Sequence, residues 1–216
     1  MTLLLKEITI ESPNGNKLLG PLNIKASPGE VITLMGPSGC GKSTLLDLIA
    51  GHLSIGFKYS GHVELCGKTL CGLPAHKRQV GILFQDDLLF PHLNVWQNLA
   101  FAIPNEVKGY AREKLALSTL SSIGLKHLAN SFPEQISGGQ RARVSLSRML
   151  LAKPKLALLD EPYNKLDQEL REQFRFWVEE QIRVAKIPAL MVTHDKADIP
   201  SGGLCLTWPW ESTYAG

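Results

Sequence analysis

The hydrophobic pattern alternates between short, mostly apolar runs and longer stretches of helical periodicity. Three runs carry no charged residue and at most one threonine, as is typical of strands buried on both faces of a sheet: Val31–Met35, Leu156–Leu159 and Ala189–Thr193. Helical spacing is found over Lys42–Ala50, which ends at a glycine, and over Asp167–Lys186. The apolar positions of that second helix are Leu170, Phe174, Val178, Ile182 and Ala185. Buried strands that alternate with helices predict an α/β fold with a mainly parallel sheet.

The rest of the chain divides into further strands and a helical middle. Strands are predicted at Leu3–Ile10, Leu18–Ala26, Gly61–Leu65 and Val80–Phe84, and the first two flank the turn signal Ser12–Gly15. The helical pattern covers Asn94–Leu128 and Gly139–Leu151. We expect this helical middle to be an insertion into the sheet domain.

Composition narrows the class of protein. With 216 residues, 44% hydrophobic and 20% charged, the chain is typical of a globular protein of one domain and a fraction. Six membrane spans of about 20 residues each would consume most of it, so it does not contain its own membrane bundle. The uncharged stretch Leu88–Asn105 carries two prolines and several polar residues, which makes it a poor span.

Charge and cysteine usage bear on partners and compartment. A net charge of +3 gives no argument for a nucleic-acid partner, and we expect none. The start of the chain, Met1–Glu11, lacks the pattern of a signal peptide. The four cysteines form no CxxC pair, which favours reduced thiols in a cytoplasmic protein over a disulfide framework.

A glycine-rich motif follows the first buried strand. It fits G-x-x-x-x-G-K-[ST] with Gly36, Pro37, Ser38, Gly39, Cys40, Gly41, Lys42, Ser43 and Thr44. Backbone N–H groups of such a loop converge on phosphate oxygens at a helix N-terminus. Lys42 would reach the β- and γ-phosphates, and the Ser43 hydroxyl would hold Mg²⁺. A chance glycine-rich turn is the alternative, but the strand–loop–helix context favours phosphate binding.

A pair of carboxylates ends the second buried strand. Asp160 can hold Mg²⁺, and Glu161 is then placed to orient and deprotonate an attacking water. An Asp-Glu pair at this position is often only a solvated strand end, but beside a phosphate loop it predicts a metal-and-base site.

The run Ile136–Arg143, which reads ISGGQRAR, resembles the signature motif of ATP-binding cassette (ABC) ATPases. Ser-Gly-Gly can also be a plain helix N-cap. The rest of the family pattern nevertheless occurs in order: Gln85 resembles the Q-loop glutamine, Asn164–Asp167 the D-loop, and His194 the switch histidine. The resemblance covers essentially the whole chain.

This resemblance implies a P-loop NTPase (RecA-like) core with an N-terminal antiparallel β subdomain and an inserted helical subdomain. The corresponding segments are 1–85, 86–145 and 146–216. It implies ATP and Mg²⁺ as ligands, with Gln85 on the metal and the attacking water and His194 on the γ-phosphate. It also implies a homodimer, in which Ser137, Gly138, Gly139 and Gln140 of one subunit complete the site of the other and Asp167 packs at the interface.

Two positions depart from the family pattern. The family usually stacks an aromatic residue on adenine about 25–30 residues before the loop lysine, but no aromatic residue precedes Phe57 and the corresponding turn is Ser12–Asn14. We therefore expect weaker nucleotide affinity and looser base selectivity. Asn164 replaces a common serine, and because it keeps a hydrogen-bonding group we expect only a small effect.

The uncharged stretch 88–105 resembles the groove in which importer-type ABC ATPases receive a coupling helix of the membrane permease. Its apolar positions at helical spacing are Phe90, Leu93, Trp96, Ala100 and Ile103, and the alternative is that they form only the core of the helical subdomain. The resemblance favours the short ATP-binding subunits of polyamine, iron, sulfate or thiamine importers. It therefore implies a position at the inner face of the cell membrane and a periplasmic substrate-binding protein in the same system. A soluble ABC ATPase and an exporter ATPase remain alternatives, and the short segment Asp195–Gly216 leads us to expect no C-terminal regulatory domain.

Overall fold

The structure is a computed structural model that describes residues 1–164, 166–200 and 202–210. The strands are β1 (Leu3–Glu11), β2 (Lys17–Ala26), β3 (Val31–Met35), β4 (Lys58–Leu65), β5 (Lys68–Thr69), β6 (Val80–Leu83), β7 (Leu156–Asp160), β8 (Ala189–Thr193) and β9 (Cys205–Thr207). The helices are α1 (Lys42–Ala50), α2 (Val95–Ala102), α3 (Gly109–Ser122), α4 (Gly138–Leu151) and α5 (Gln168–Ala185).

A five-stranded parallel sheet forms the centre of the fold, in the order β6-β7-β8-β3-β9. The three apolar runs are its middle strands, as predicted, and they are buried along almost their whole length. In the register of the sheet, Met35 pairs with Thr193 and Asp160 pairs with Val192. The segments that follow these three strands therefore leave the sheet at the same edge, where the phosphate loop, Glu161 and His194 begin.

A second sheet is antiparallel and has the order β2-β1-β4-β5. Alternate residues of β1 and β2 are buried against the parallel sheet and α1, and together they form one large core. The predicted fold class, a parallel P-loop core with an antiparallel sheet and packed helices, is confirmed. The two-residue strand β5 and the tail strand β9 were not predicted, because each is too short to show a pattern.

The helical middle is divided more finely than its periodicity predicts. Instead of running over Asn94–Leu128, the helical pattern is split into α2 and α3 around Pro104, whose ring nitrogen has no N–H to donate. Phe90 and Leu93 precede α2 and so do not belong to a helical stripe, contrary to the predicted spacing. The buried Asn98 side chain bridges this segment to α2, since its amide oxygen accepts from Phe90 N (2.8 Å) and its nitrogen donates to Leu93 O (2.9 Å).

Helix α5 confirms part of its predicted apolar face. Phe174, Val178 and Ile182 are buried, but Leu170 and Ala185 are exposed. Both exposed residues lie in the terminal turns of the helix, so burial is confined to its middle. Asp167 is the N-cap, as the predicted start of the helix requires, and its Oδ1 accepts from Leu170 N at 3.0 Å.

The end of the described chain packs against the central sheet. Trp208 and Trp210 lie edge to face, 4.9 Å between ring centroids, and the Trp210 Nε1 donates to Met35 O at 3.1 Å. Residues 211–216 of the segment Asp195–Gly216 lie outside the described residues. All four cysteines are free thiols, as predicted. Among the helices that the structure describes, none is both long and apolar enough to cross a membrane.

Candidate functional site

The phosphate loop connects the carboxyl end of β3 to the N-terminus of α1. Gly39 and Gly41 have φ angles of 82° and 95°, in the left-handed region that favours glycine. A Cβ on Gly41 would lie 2.9 Å from the Leu18 Cγ, so the loop also packs too closely on β2 for a larger residue. The N-cap of α1 is Gly41, which has no side chain to accept a hydrogen bond from the first N–H groups of the helix. This is the geometry of an anion-binding helix N-terminus.

Lys42 lies within this loop and is almost completely buried. Its Nζ donates to the carbonyl oxygens of Gly36 and Pro37, at 2.8 Å each. Backbone acceptors of the loop thus hold the ammonium group in place.

Ser43 and Asp160 meet at the predicted metal position, although 117 residues separate them in sequence. The Ser43 hydroxyl donates to Asp160 Oδ1 at 3.2 Å. Burial raises the pKa of the Asp160 carboxyl, and a nearby cation would favour its ionised form. Hydroxyl and carboxylate oxygens are ligands that Mg²⁺ prefers, so these donors suit the ion. Among the described residues there is no cluster of three or more His, Cys, Asp or Glu side chains that could hold a metal.

Glu161 is held by two side chains, one on each carboxylate oxygen. Oε1 lies 3.1 Å from the His194 Nδ1, and Oε2 accepts from the Asn164 Nδ2 at 3.0 Å. The Glu161 backbone has a φ of 44°, in the left-handed region that residues other than glycine rarely adopt. Its N–H donates to Val192 O at 3.0 Å, which ties it to β8. Such local strain is found mainly where the surrounding structure holds a functional side chain in place.

These elements line one cavity of about 460 Å³ at the edge of the parallel sheet, which we call the phosphate cavity because the phosphate loop forms part of its wall. Its lining consists of Ser38, Gly39, Gly41, Lys42, Ser43, Thr44, Gln85, Glu161, Asn164 and His194. The structure thus brings the phosphate loop together with Gln85, Glu161 and His194. Asp160 is not one of these lining residues, but it lies next to the cavity because it accepts a hydrogen bond from Ser43.

The signature segment lies elsewhere in the same chain. Ser137 is the N-cap of α4, and its Oγ accepts from Gln140 N (3.3 Å) while Gln140 Oε1 accepts from Ser137 N (2.8 Å). The helix N-cap considered as the plain alternative is therefore present. Ser137, Gly139 and Gln140 line a second cavity of about 310 Å³, which shares no residue with the first. Asp167 lines neither cavity.

The structure shows a link between the segment that follows Gln85 and helix α4, which the sequence did not predict. Arg141 Nε contacts Asp87 Oδ2 at 3.1 Å, and the Ser145 hydroxyl donates to Asp87 O at 2.8 Å. Arg148 Nη1 donates to Leu88 O at 2.9 Å. These contacts tie the segment that follows Gln85 to helix α4. Their sequence separation of 54 to 60 residues leaves no periodic signal from which they could have been found.

An apolar groove lies beside this link, on the outer side of α2 and α4. It has a volume of about 490 Å³ and is lined by Gly81, Ile82, Leu88, Phe90, Phe101, Ala102, Ser145, Arg148, Met149 and Ala152. Leu88 is 56% exposed and Phe101 65% exposed. The Phe90 ring packs on the Phe101 ring, with 4.7 Å between their centroids. The Arg148 guanidinium lies over the Phe90 ring, 5.4 Å from its centroid. By contrast, Ala100 and Ile103 are buried, so they belong to the helical core rather than to the groove.

Comparison with known proteins agrees with this geometry. The family model described as ABC transporter matches residues 19–164. The chain is 43% identical over 213 residues to the uncharacterized ABC transporter ATP-binding protein YnjD of Escherichia coli, covering 98% of each chain. It therefore belongs to the ABC transporter family, as an ATP-binding domain.

Longer relatives carry more specific names. The spermidine/putrescine import ATP-binding protein PotA of Pseudomonas fluorescens is 39% identical over 87% of this chain and 52% of its own length. The sulfate/thiosulfate import ATP-binding protein CysA of Neisseria meningitidis serogroup B is 38% identical over 88% of this chain and 55% of its own. The chain thus spans about half the length of these import proteins.

Proposed function

We propose that this chain is the ATP-hydrolysing subunit of an ABC importer and that it works as a homodimer closed by nucleotide. The observation that carries the proposal is the cavity that unites Lys42, Gln85, Glu161 and His194 at the edge of the parallel sheet. Names of relatives such as PotA and CysA, which are import ATP-binding proteins, support the direction of transport.

The proposed chemistry is attack of water on the γ-phosphorus of ATP. The phosphate loop and Lys42 bind the phosphates by backbone N–H groups and charge. Glu161 accepts a proton from the water as its oxygen bonds to phosphorus, the bond to the bridging oxygen breaks, and ADP leaves. A magnesium ion held by Ser43, Gln85 and Asp160 would neutralise phosphate charge in this site.

His194 is proposed to sense the γ-phosphate. Its Nδ1 is paired with Glu161, so its Nε2 is the nitrogen available to a ligand in the cavity. Loss of the γ-phosphate would remove that contact, as well as the contact from the signature segment of the other subunit.

The dimer is supported by the separation of the two anion-binding segments within one chain. Ser137–Gln140 and the phosphate loop line different cavities, so one copy does not surround a nucleotide on both sides. A two-fold dimer would let each signature segment, with Asp167 nearby, face the phosphate loop of the partner.

The proposed membrane partner is a permease that docks near residues 88–105. Leu88 and Phe101 give the groove exposed apolar surface, which a short amphipathic helix of a permease would cover. The chain would thereby be peripheral on the cytoplasmic face of the membrane, in a system that also includes a periplasmic substrate-binding protein. The separate helical core around Val95, Leu99 and Leu120 supports the subdomain 86–145 as the part that contacts the permease.

A Glu161→Gln variant tests the hydrolytic site and the dimer together. We expect it to bind ATP, to lose at least about 100-fold in hydrolysis, and to form an ATP-dependent dimer in size exclusion with light scattering. Glu180→Gln, an exposed change on α5, is the control and should behave like wild type. Hydrolysis at the wild-type rate would contradict the assignment of Glu161, and a variant that stays monomeric with ATP would contradict the dimer.

The direction of transport can be measured only with the complete transport system. We expect a proteoliposome that contains the permease to take up its substrate only with this chain, ATP and a substrate-binding protein. Outward transport would instead identify an exporter, and hydrolysis that no membrane protein stimulates would identify a soluble ATPase.

A further inference from the structure

Asn164 makes a contact whose geometry suits a role in hydrolysis. Its side-chain amide donates to the Glu161 Oε2 at 3.0 Å, while His194 occupies the other oxygen. Two donors on two oxygens fix the plane of the carboxylate. A carboxylate can accept about four hydrogen bonds, so each oxygen keeps one site for water.

The segment that carries Asn164 is packed at its base and exposed at its end. The Asn164 N–H donates to Glu161 O at 3.2 Å, which closes a turn. Tyr163 within this turn is buried, and its ring lies edge to face with Phe174 of α5, 6.0 Å between centroids. Asn164 itself is exposed and lines the phosphate cavity. Its side chain can therefore be changed with little effect on the core.

We propose that Asn164 is a positioning residue for ATP hydrolysis, which holds the Glu161 carboxylate in the orientation that accepts the proton of the attacking water. This inference rests on the proposed role of Glu161 as the base. A general base must be held within a few tenths of an ångström and 10–20° of the reactive geometry, and one donor leaves the carboxylate free to rotate. The hydroxyl of a serine is one bond closer to the backbone than the Asn164 Nδ2, so a serine would have to shift its backbone to make the same 3.0 Å contact.

Three substitutions distinguish the effect of losing the hydrogen-bond donor from the effect of losing side-chain volume. Asn164→Ala removes both, Asn164→Asp keeps the shape but replaces the donor by an acceptor, and Asn164→Gln keeps the donor on a longer stem. The measurement is steady-state hydrolysis of MgATP by the chain together with its permease, with kcat and KM separated, alongside thermal unfolding of each variant.

We expect Asn164→Ala and Asn164→Asp to lower kcat by about tenfold, with KM and the unfolding midpoint unchanged. Asn164→Gln should keep at least about a third of the wild-type kcat, because its amide can still reach the carboxylate. Wild-type kcat in Asn164→Ala, or an Asn164→Asp variant as active as wild type, would overturn the inference. Parallel losses of kcat, ATP affinity and thermal stability would also overturn it, since they would show a structural role.

The Glu161→Gln variant distinguishes the two proposals. If Glu161→Gln abolishes hydrolysis while Asn164→Ala does not affect it, the positioning role fails and the base remains. If Glu161→Gln hydrolyses ATP normally, the proposed function of the site fails first.

Discussion

Arg171 on helix α5 forms an ion pair with Asp195, the residue that follows His194, with 2.6 Å between Nη1 and Oδ2. The same guanidinium contacts the buried Asp198 carboxylate, with 2.7 Å between Nε and Oδ1. Asp198 also accepts a hydrogen bond from Thr193, at the end of β8. Helix α5 therefore holds the segment that presents His194 to the phosphate cavity.

Replacing Arg171 by methionine should destabilise the chain by about 3 kcal/mol, because it leaves the Asp198 carboxylate buried without its cation. The measurement is the free energy of unfolding from urea titration. Arg183→Met is the matched control on the same helix, since the Arg183–Glu180 pair is exposed and its loss should cost under about 1 kcal/mol. Equal effects of the two substitutions would contradict a special role for the buried pair.

Acid should lower the free energy of unfolding in part by protonating the Asp195 carboxylate. The Ala197 N–H and the Arg171 guanidinium donate to its carboxylate and lower its pKa. A carboxylate with a lowered folded pKa stabilises the protein above its unfolded pKa of about 3.9, and this contribution is lost as the pH falls through the folded value. Unfolding free energies measured between about pH 5 and pH 2 should fall less steeply for Asp195→Asn than for wild type. Identical slopes would show that this carboxylate contributes nothing to acid sensitivity.

Trp210 should stabilise the phosphate loop, because its ring packs against the start of the loop. Its ring is buried, its Nε1 donates to Met35 O, and it lies close to Gly36 at the start of the loop. Trp210→Ala should destabilise the chain by about 3 kcal/mol and weaken ATP binding, whereas Trp210→Phe should lose only about 1 kcal/mol with the hydrogen bond. Chemical unfolding and titration with a fluorescent ATP analogue measure the two effects. A Trp210→Ala variant that is as stable as wild type would mean that the tail packs only loosely.

The apolar groove should be needed for transport but not for basal hydrolysis. Leu88→Glu and Phe101→Glu place a charge where a permease helix would pack, so uptake should fall at least about tenfold while hydrolysis by the isolated chain is unchanged. Tyr110→Glu, an exposed change on α3 outside the groove, is the control and should transport normally. Collapse of hydrolysis in the groove variants would instead assign these side chains to the core.

Base selectivity should be weak. Stacking on an aromatic side chain is worth about 1–3 kcal/mol per base, and the turn that would supply the ring contains Ser12, Pro13 and Asn14. Competition binding should therefore show less than about tenfold preference for ATP over GTP, and Pro13→Tyr should raise the affinity for both. A stronger preference in wild type would mean that another group recognises the base.

Much of the site was accessible from the sequence because its motifs are local. The phosphate loop is one continuous run between a buried strand and a helix, and Gly39 and Gly41 in it have the left-handed backbone angles that the motif predicts. The three buried strands could be recognised from their own composition. Parallel pairing then brings Glu161 and His194 to one edge, since both follow the carboxyl ends of neighbouring strands.

The class of fold, the phosphate loop and the residues that follow each buried strand could therefore be predicted from the sequence, because each is encoded in a few consecutive positions. Packing in three dimensions was needed to show which distant side chains form hydrogen bonds or ion pairs: Asn164 and His194 with Glu161, and Arg171 with Asp195 and Asp198. It also decided that Leu88 and Phe101 are exposed while Ile103 is buried, although all three lie in one uncharged stretch. Such contacts depend on how helices and loops pack on the sheet, and neither periodicity nor spacing records that packing.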